Sequence, residues 1–296
     1  MDEHIMRRLA KPMLAAAAFI WGSSFFIMKN ALDALPVQYL LAIRFTAGAV
    51  LLGLFCWRSW RGFTRDYLWR GAVIGAFLYL AYSIQTYGLA LTTPSKNAFL
   101  TAVYCVMVPF FHWAVLKVRP DRFHILAAVL CVTGVGLVSL SGELTVQAGD
   151  ALTLLCAVFY AAHIVAVAKV SPRKDIYLLT VFQFAFAALY AWIGGALTET
   201  FPAEALARPD ILLPLAYLGV MATTIALLFQ NVGQVWSDPA SASVILSLES
   251  VFGVLCSVLF AGDRVSAQMC AGFALIFVAV VCSETKFRFL RRREGP

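Results

Sequence analysis

The stretch ASASVILSLESVFGVLCSVLFA, residues 240–261, contains a single charged residue, Glu249. A helix of about 20 apolar residues crosses the roughly 30 Å hydrocarbon core of a bilayer. An acidic side chain near the middle of such a helix costs roughly 2.5–3.5 kcal/mol on insertion scales. The stretch therefore predicts a membrane-spanning helix whose central carboxylate needs either a structural partner or a functional reason.

The whole chain has the composition of a polytopic membrane protein. Of its 296 residues 61% are hydrophobic and 13% are charged, whereas soluble domains are about 25% charged. The loops between the apolar blocks are short, so neighbouring helices are expected to be antiparallel. The sequence predicts an all-α membrane protein with ten transmembrane helices, at residues 12–29, 36–57, 69–90, 96–117, 122–141, 149–169, 176–197, 211–232, 240–261 and 265–284.

The basic residues are distributed unequally between the two predicted membrane faces. Of the 23 Lys and Arg residues, 18 lie on the side of both termini, four lie on the other side, and Arg44 lies inside a span. Because basic loops stay in the cytoplasm, the chain is predicted to be a multi-pass protein of the cell's inner (plasma) membrane with both termini cytoplasmic.

The net charge of +7 is explained by these loops and predicts no nucleic-acid partner. The basic start of the first span resembles a signal peptide, but nine further spans favour an uncleaved helix.

The two halves of the sequence resemble each other. Residues 39–50, YLLAIRFTAGAV, align with residues 178–189, LLTVFQFAFAAL. A second alignment matches Gln85 with Gln230, Gly88 with Gly233 and Pro94 with Pro239. Since five spans is an odd number, the second half enters the membrane from the opposite face. Residues 1–145 and 146–296 are therefore predicted to be inverted five-helix repeats with a transport site near the membrane midplane.

Several motifs in this order resemble EamA-type members of the drug/metabolite transporter superfamily. They are FIWGSSFFIMKNAL with LAIRF, GLALTTPSKNAFLTAVYCVMVPFF, GDALTLLCAVFYAAHIV and ASVILSLESVFGVLCSVLFAGDRVSAQMCAGFALIF. The resemblance covers residues 14–283 and implies a ten-helix inverted-repeat carrier, in a family that consists mostly of exporters of amino acids and other small metabolites. Two positions differ: the usual Glu-Pro of the ninth span is Glu249-Ser250, and the usual Gly-Glu before the tenth is Gly262-Asp263. Without the proline, a helix kink at Ser250 stays an open question.

Polar and aromatic side chains form a predicted belt near the membrane midplane. At about 1.5 Å of rise per residue, six of them lie roughly 12–21 Å below the outer face: Trp21, Arg44, Tyr104, His163, Gln183 and Glu249. The aromatic residues either wall a substrate cavity or only pack helices together, and a Gly/Ser break at residues 22–24 can open backbone groups to that cavity. The predicted substrate-binding residues are Trp21, Ser24, Arg44, Tyr79, Tyr82, Tyr104, Tyr160, His163, Gln183 and Glu249.

The ionisable members of this belt each have alternative roles. Arg44 either extends to the headgroups or faces inward, where it pairs with a carboxylate or a substrate anion. His163 is either a neutral histidine bonded to a backbone carbonyl or a proton-sensitive substrate contact. Glu249 balances Arg44 in the empty carrier, meets a substrate ammonium group, or bonds to Ser247 and Ser250 and merely holds the ninth helix.

Other polar and small residues are assigned to packing. Gln85 and Gln230 are predicted to form hydrogen bonds between helices, and Gly22, Gly134 and Gly136 to allow close helix approach. The seven cysteines lie in or beside apolar spans without a CxxC pattern, which is typical of small packing residues. No metal site and no cofactor are predicted.

Three functions are weighed against these features: a metabolite exporter, an uptake carrier and an intramembrane enzyme. The chain lacks HExxH, GxSxG, an Asp-rich metal motif and a Walker lysine loop, and an enzyme would not explain an inverted repeat. The prediction is a non-enzymatic carrier in membrane lipid that binds a small-molecule substrate. It is either facilitative or secondary-active, and in the second case it is coupled to protons, another ion or a counter-substrate. An Arg and a Glu beside aromatic residues favour an amino acid or related zwitterion as substrate, with vitamins and amphiphilic cations as alternatives. Export is what the family resemblance implies, because the topology does not decide the direction of transport.

Overall fold

The computed structural model describes residues 3–117, 119–139, 147–171, 174–236 and 239–285. Within these ranges the chain is helical and has no β-strand. A 3₁₀ turn covers Trp57–Gly62, and π-helical segments cover Tyr217–Ile225 and Ser257–Ala261. The α-helices are α1 (Glu3–Ala31), α2 (Val37–Phe55), α3 (Asp66–Leu91), α4 (Pro94–Thr101), α5 (Tyr104–Leu116), α6 (Arg122–Ser139), α7 (Ala148–Val170), α8 (Ile176–Thr198), α9 (Ala203–Leu206), α10 (Pro209–Ala216), α11 (Ala226–Trp236), α12 (Pro239–Cys256) and α13 (Ala267–Thr285).

Seven segments of the described residues are long and apolar enough to cross a membrane. They coincide with the predicted spans one to four and six to eight. The predicted spans five, nine and ten correspond to the shorter apolar helices Arg122–Val138, Ile245–Ala261 and Ala267–Cys282. The prediction of an all-α protein rich in apolar helices is confirmed, whereas the arrangement of ten spans as an inverted repeat stays a prediction.

Parts of the sequence-based prediction fall outside the described residues. These are the junction between the predicted halves at residues 145 and 146, Arg173, and the basic tail that carries Lys286, Arg288, Arg291, Arg292 and Arg293.

The fourth and eighth predicted spans contain helix irregularities. The fourth is divided at Ala102 and Val103 into α4 and α5. Pro94 begins α4, where its fixed φ suits the first helical turn, and the Thr93 hydroxyl accepts a hydrogen bond from the backbone nitrogen of Lys96 at 3.3 Å. The eighth span widens from α10 into the π-helical segment Tyr217–Ile225 before it continues as α11. Both irregular regions border the centre of the helix bundle.

The ninth predicted span stays α-helical through the position where the family usually has proline. Helix α12 runs as far as Cys256, and the Ser250 hydroxyl donates to the backbone carbonyl of Ser247 at 2.7 Å. The π-helical segment that follows ends at Gly262, whose φ of 70° lies in the left-handed region that glycine adopts without steric penalty. The backbone irregularity of this span therefore lies beyond Ser250.

Helices of the two predicted halves pack against each other throughout the bundle. Helix α1 packs on α11 and α12, α3 on α7 and α8, α2 on α8, and α6 on α13. A Cβ atom at Gly22 would lie 2.4 Å from Phe252 Cβ, and one at Gly134 would lie 2.8 Å from the Gly272 carbonyl oxygen, so both glycines permit close helix approach. The same prediction for Gly136 is wrong for the described part of the chain, because a Cβ there would meet none of its atoms within 4 Å.

Candidate functional site

A cavity at the centre of the bundle is lined by side chains from α1, α2, α3, α4, α5, α7, α11 and α12. Residues from both predicted halves contribute to its wall. The cavity brings together most of the predicted substrate-binding residues, namely Trp21, Ser24, Arg44, Tyr82, Tyr104, Tyr160, His163 and Glu249. Further lining residues, which the sequence did not single out as ligands, are Phe25, Met28, Leu78, Gln85, Thr101, Ile164, Leu227 and Gln230.

Arg44 faces inward from α2. Its side chain is buried in the cavity wall, with 1% of the residue exposed, so the alternative in which it extends to the headgroups is wrong. Its Nε donates to Thr223 Oγ1 at 2.8 Å, and its Nη1 lies 3.3 Å from Met28 Sδ. Its Cζ lies 4.9 Å from the centroid of the Tyr82 ring, which is within the range of a cation–π interaction. Within the described residues, Arg44 forms no salt bridge with a carboxylate.

Glu249 lines the same cavity from α12 and is 6% exposed. The described residues provide no salt bridge to its carboxylate, so the expected pairing with Arg44 is not formed in this structure. The Ser250 hydroxyl does not hold the carboxylate either, because it donates to the Ser247 carbonyl. A basic and an acidic side chain therefore lie on one cavity wall without an ion pair between them.

The aromatic residues of the cavity are held by contacts between helices. Trp21 Nε1 donates to the backbone carbonyl of Ala222 at 2.8 Å, which ties α1 to the π-helical segment 217–225. The ring of Tyr160 lies 5.5 Å from that of Tyr82 and 5.9 Å from that of Tyr104, centroid to centroid. The Ser24 hydroxyl is used within its own helix, where it donates to the Trp21 carbonyl at 2.8 Å. Three tyrosines thus form one continuous wall.

Gln85 has a larger role in the cavity wall than the sequence indicated. As predicted, it forms hydrogen bonds between helices: its Nε2 donates to Thr101 Oγ1 at 3.0 Å, and its Oε1 accepts from the Tyr160 hydroxyl at 2.8 Å. It also lines the cavity, as does Gln230. The alignment of these two glutamines between the halves is the sequence signal that pointed to them.

His163 and Gln183 form a buried polar contact beside the cavity. They are 4% and 1% exposed, and Gln183 is the polar side chain that interacts with the imidazole. The Nε2 atoms of both residues lack a hydrogen-bond partner within the described part of the chain. His163 lines the cavity, whereas Gln183 lies behind it.

Tyr79 also lies away from the cavity. Its ring packs against Tyr190, with the centroids 6.0 Å apart, and its hydroxyl would be 2.7 Å from a Cβ atom at Gly194. The prediction that Tyr79 lines the cavity is therefore not met in this structure, because its side chain is directed toward α8.

The predicted outer end of the cavity carries a buried ionic network that the sequence did not reveal. Lys96 Nζ lies 3.2 Å from Asp150 Oδ2, and the Thr92 hydroxyl donates to Asp150 Oδ1 at 2.7 Å. Asp150 is fully buried. Lys29 Nζ donates to the carbonyl oxygens of the last residues of α3 and of Thr92, at distances from 2.8 to 3.1 Å. In the sequence these lysines had served only as evidence of topology.

The described residues contain no group of three His, Cys, Asp or Glu side chains arranged to hold a metal ion. None of the seven cysteines forms a disulfide bond within the described residues, and five of them are buried.

The sequence profile of the EamA-like transporter family matches residues 9–140 and, a second time, residues 147–285. The chain belongs to this EamA-like transporter family. Its membership of the drug/metabolite transporter superfamily follows, and the resemblance seen in the sequence motifs is confirmed. The chain is thus a membrane transporter and an integral membrane protein.

Relatives of this EamA-like transporter carry transporter names. An "Uncharacterized transporter" of Archaeoglobus fulgidus is 32% identical over 280 residues, which cover 94% of this chain and 87% of the relative. The "Uncharacterized transporter YcxC" of Bacillus subtilis is 25% identical over 293 residues, covering 94% and 93%. One solved structure, described as "Crystal structure of protein", matches with a TM-score of 0.69 at 20% identity over 97% of this chain and 98% of that chain. This last likeness concerns the fold alone.

Proposed function

We propose that this EamA-like transporter is a secondary carrier that exports amino acids or related zwitterionic metabolites by alternating access. The observation that carries the proposal is the placement of Arg44 and Glu249 on the wall of one buried cavity without an ion pair between them. An uncompensated charge in a low-dielectric site is costly. A ligand that brings one opposite charge to each side chain would relieve both costs.

The chemistry of the cavity matches the two ends of an amino acid. The guanidinium of Arg44 can bind a carboxylate through two parallel hydrogen bonds, and the carboxylate of Glu249 can accept hydrogen bonds from an ammonium group. Tyr82, Tyr104 and Tyr160 supply apolar faces for the rest of the molecule. Their hydroxyl groups and Gln85 add polar contacts that fix the orientation of the ligand.

Alternating access needs two parts of the protein that move relative to each other. The family profile matches the chain twice, once in each predicted half, and helices of both halves line the cavity. These observations support an inverted repeat with its binding site near the membrane midplane. The sequence has no Walker lysine loop, so the driving force we propose is an ion gradient, protons in the first place, or exchange against a counter-substrate.

Transport by the purified full-length chain in liposomes tests this function. Liposomes preloaded with an unlabelled amino acid mixture are diluted into single radiolabelled amino acids, without ATP. We expect counterflow of at least one amino acid, and we expect Arg44→Gln to abolish it, with protein-free liposomes as the blank. Proton-gradient experiments in both orientations then distinguish export from uptake. Absence of flux for every amino acid, together with chemical conversion of a lipid or a peptide, would establish the enzyme alternative instead.

A further inference from the structure

We infer that Thr223 is a positioning residue that holds the Arg44 guanidinium in the orientation in which it binds the anionic group of the substrate, a carboxylate in the first instance. The inference rests on the proposed function, because it concerns the carboxylate end of the same ligand. Thr223 lies in the π-helical segment 217–225 and is fully buried. Neither its sequence context nor its membrane depth had marked it as part of the site.

The hydroxyl group of Thr223 acts both as a hydrogen-bond donor and as a hydrogen-bond acceptor. Its single proton is donated to the backbone carbonyl of Leu218 at 2.8 Å, and its oxygen accepts the Nε–H of Arg44 at 2.8 Å. A hydroxyl has one proton to donate, so the bond to Leu218 leaves Thr223 as an acceptor toward the guanidinium. This arrangement suits a cation and fixes the Nε side of Arg44.

The backbone around Thr223 is adapted to this contact. Leu218 lies five residues before Thr223, whereas a regular α-helix would offer the carbonyl four residues back. Short π-helical turns inside α-helices are frequent at functional sites. On the facing helix, a Cβ atom at Gly48 would lie 3.1 Å from Thr223 Cγ2. The glycine, one turn after Arg44 on α2, thus lets the π-helical segment approach closely enough for the hydrogen bond.

The bond to Thr223 leaves the opposite edge of the guanidinium available. Arg44 has five N–H donors; within the described residues one is used by Thr223 and one points to Met28 Sδ, a weak acceptor. The other donors belong to the Nη1 and Nη2 edge, which can bind a carboxylate with two parallel hydrogen bonds. Because Arg44 lines the cavity, a substrate carboxylate can reach this edge. An amine without a carboxylate would gain nothing from it.

The adjacent Thr224 provides a matched control. Its hydroxyl makes the same type of π-helical bond, to the Gly219 carbonyl at 2.8 Å, but it makes no contact with Arg44 that resembles that of Thr223. Thr223→Val and Thr224→Val therefore remove equivalent backbone bonds, and only the first removes the acceptor for the guanidinium. Thr223→Ser keeps the acceptor and serves as the conservative rescue.

Full-length protein in liposomes is tested with radiolabelled phenylalanine, and with 2-phenylethylamine as a competitor that lacks the carboxylate. We expect Thr223→Val to raise the KM for phenylalanine by about tenfold or more, the effect of losing a hydrogen bond to a charged group. The maximal rate and the half-inhibitory concentration of 2-phenylethylamine should stay near the parent values. Thr223→Ser and Thr224→Val should resemble the parent in all three quantities.

Two results overturn the inference while the proposed function stands: an unchanged KM in Thr223→Val, or equal losses in Thr223→Val and Thr224→Val, which would indicate a purely structural role for the π-helical turn. A different result would contradict the proposed function itself. If the parent protein transports neither phenylalanine nor any other amino acid, the carboxylate-binding role of Arg44 fails, and the role of Thr223 fails with it.

Discussion

Asp263 accepts two hydrogen bonds from Ser95, one from the backbone nitrogen at 3.0 Å and one from the hydroxyl at 2.6 Å, although the two residues are 168 positions apart. Ser95 lies in the first turn of α4 and is fully buried, and Asp263 lies in the link between the π-helical segment 257–261 and α13. A carboxylate at a helix N-terminus interacts favourably with the unpaired N–H groups and the dipole there. The contact therefore joins the two predicted halves at the predicted outer end of the cavity.

A second contact lies at the same end. Lys29, at the end of α1, donates to the last carbonyl groups of α3, where a cation is favourable for the corresponding reason. Asp263 lies close enough to interact electrostatically with Lys29 as well. An acid at the start of one helix and a base at the end of another thus hold α1, α3, α4 and the link before α13 together.

Weakening the Asp263 contact should open the outer end more often. We expect Asp263→Ala to increase, by about tenfold, the rate at which an impermeant maleimide added outside labels a cysteine introduced by Ser24→Cys in the cavity. Hydrogen bonds to charged groups contribute about 1.5–3 kcal/mol each, so their loss should shift the equilibrium between the closed and open states of this end by a free energy of this order. The labelling rate of Asp263→Asn, which keeps an acceptor oxygen, should lie between the rates of the parent and of Asp263→Ala. The protein without Ser24→Cys corrects for labelling of native cysteines, and equal rates in all variants would show that Asp263 does not hold this end closed.

The packing of α6 on α13 depends on Gly134. Gly134→Ala would place a Cβ atom 2.8 Å from both the Gly272 carbonyl oxygen and Ile276 Cγ1. We expect it to destabilise the protein by about 1–3 kcal/mol, the usual effect of overpacking, as measured by thermal unfolding in detergent. Gly136→Ala, two residues along the same helix, adds a Cβ that meets no atom of the described residues within 4 Å and should leave the melting temperature unchanged or raise it slightly. A lower melting temperature for Gly136→Ala than for Gly134→Ala would contradict the packing described here.

The orientation of the chain can be tested separately from its transport activity. The division of basic residues, 18 against four, predicts that the C-terminus is cytoplasmic. A fluorescent protein fused after Thr285 should fluoresce and alkaline phosphatase at the same place should be inactive, whereas phosphatase inserted beside Asp263 should be active. Phosphatase activity after Thr285 would reverse the topology and remove the support for inverted repeats.

The sequence predicted which segments are helical, because long apolar runs indicate membrane helices, and the depths it assigns to the polar residues stay predictions. It did not predict the direction in which a side chain points. Tyr79 and Tyr82 lie on the same helix, three residues apart, yet only Tyr82 lines the cavity. The rotation of α3 about its axis depends on the helices it packs against, α7 and α8, and these contacts are not local in sequence.

The hydrogen-bond partner of Arg44 could not be predicted from the sequence for a related reason. A carboxylate at similar depth, Glu249, suggested an ion pair, but the guanidinium is bonded to Thr223 instead. Thr223 reaches it because the eighth span is π-helical at that point and because Gly48 allows α2 to approach. A local change of helical pitch of this kind has no clear signature in an apolar run such as YLGVMATTI.

The carboxylate of Glu249 is the second charge that the proposed ligand must meet, and its removal is the most direct test of the site. Glu249→Gln keeps the shape and hydrogen-bonding capacity of the side chain and removes its negative charge. Loss of one partner from a buried ion pair typically costs 3–5 kcal/mol, so amino acid transport should fall by at least about a hundredfold. The melting temperature in detergent should not fall, because the described residues supply no salt bridge that this change would break.

The control for this variant is Ser250→Ala, which alters the neighbouring residue on α12 without touching the cavity wall. The Ser250 hydroxyl that this variant removes donates to the Ser247 carbonyl and lines no part of the cavity, so we expect transport close to that of the parent. Uptake is measured from pH 5 to pH 8 for the parent, Glu249→Gln, Glu249→Ala and Ser250→Ala. If both Glu249 variants transport like the parent over this whole range, neither substrate binding nor proton coupling resides at Glu249, and the carboxylate at the centre of the stretch 240–261 only packs α12 into the bundle.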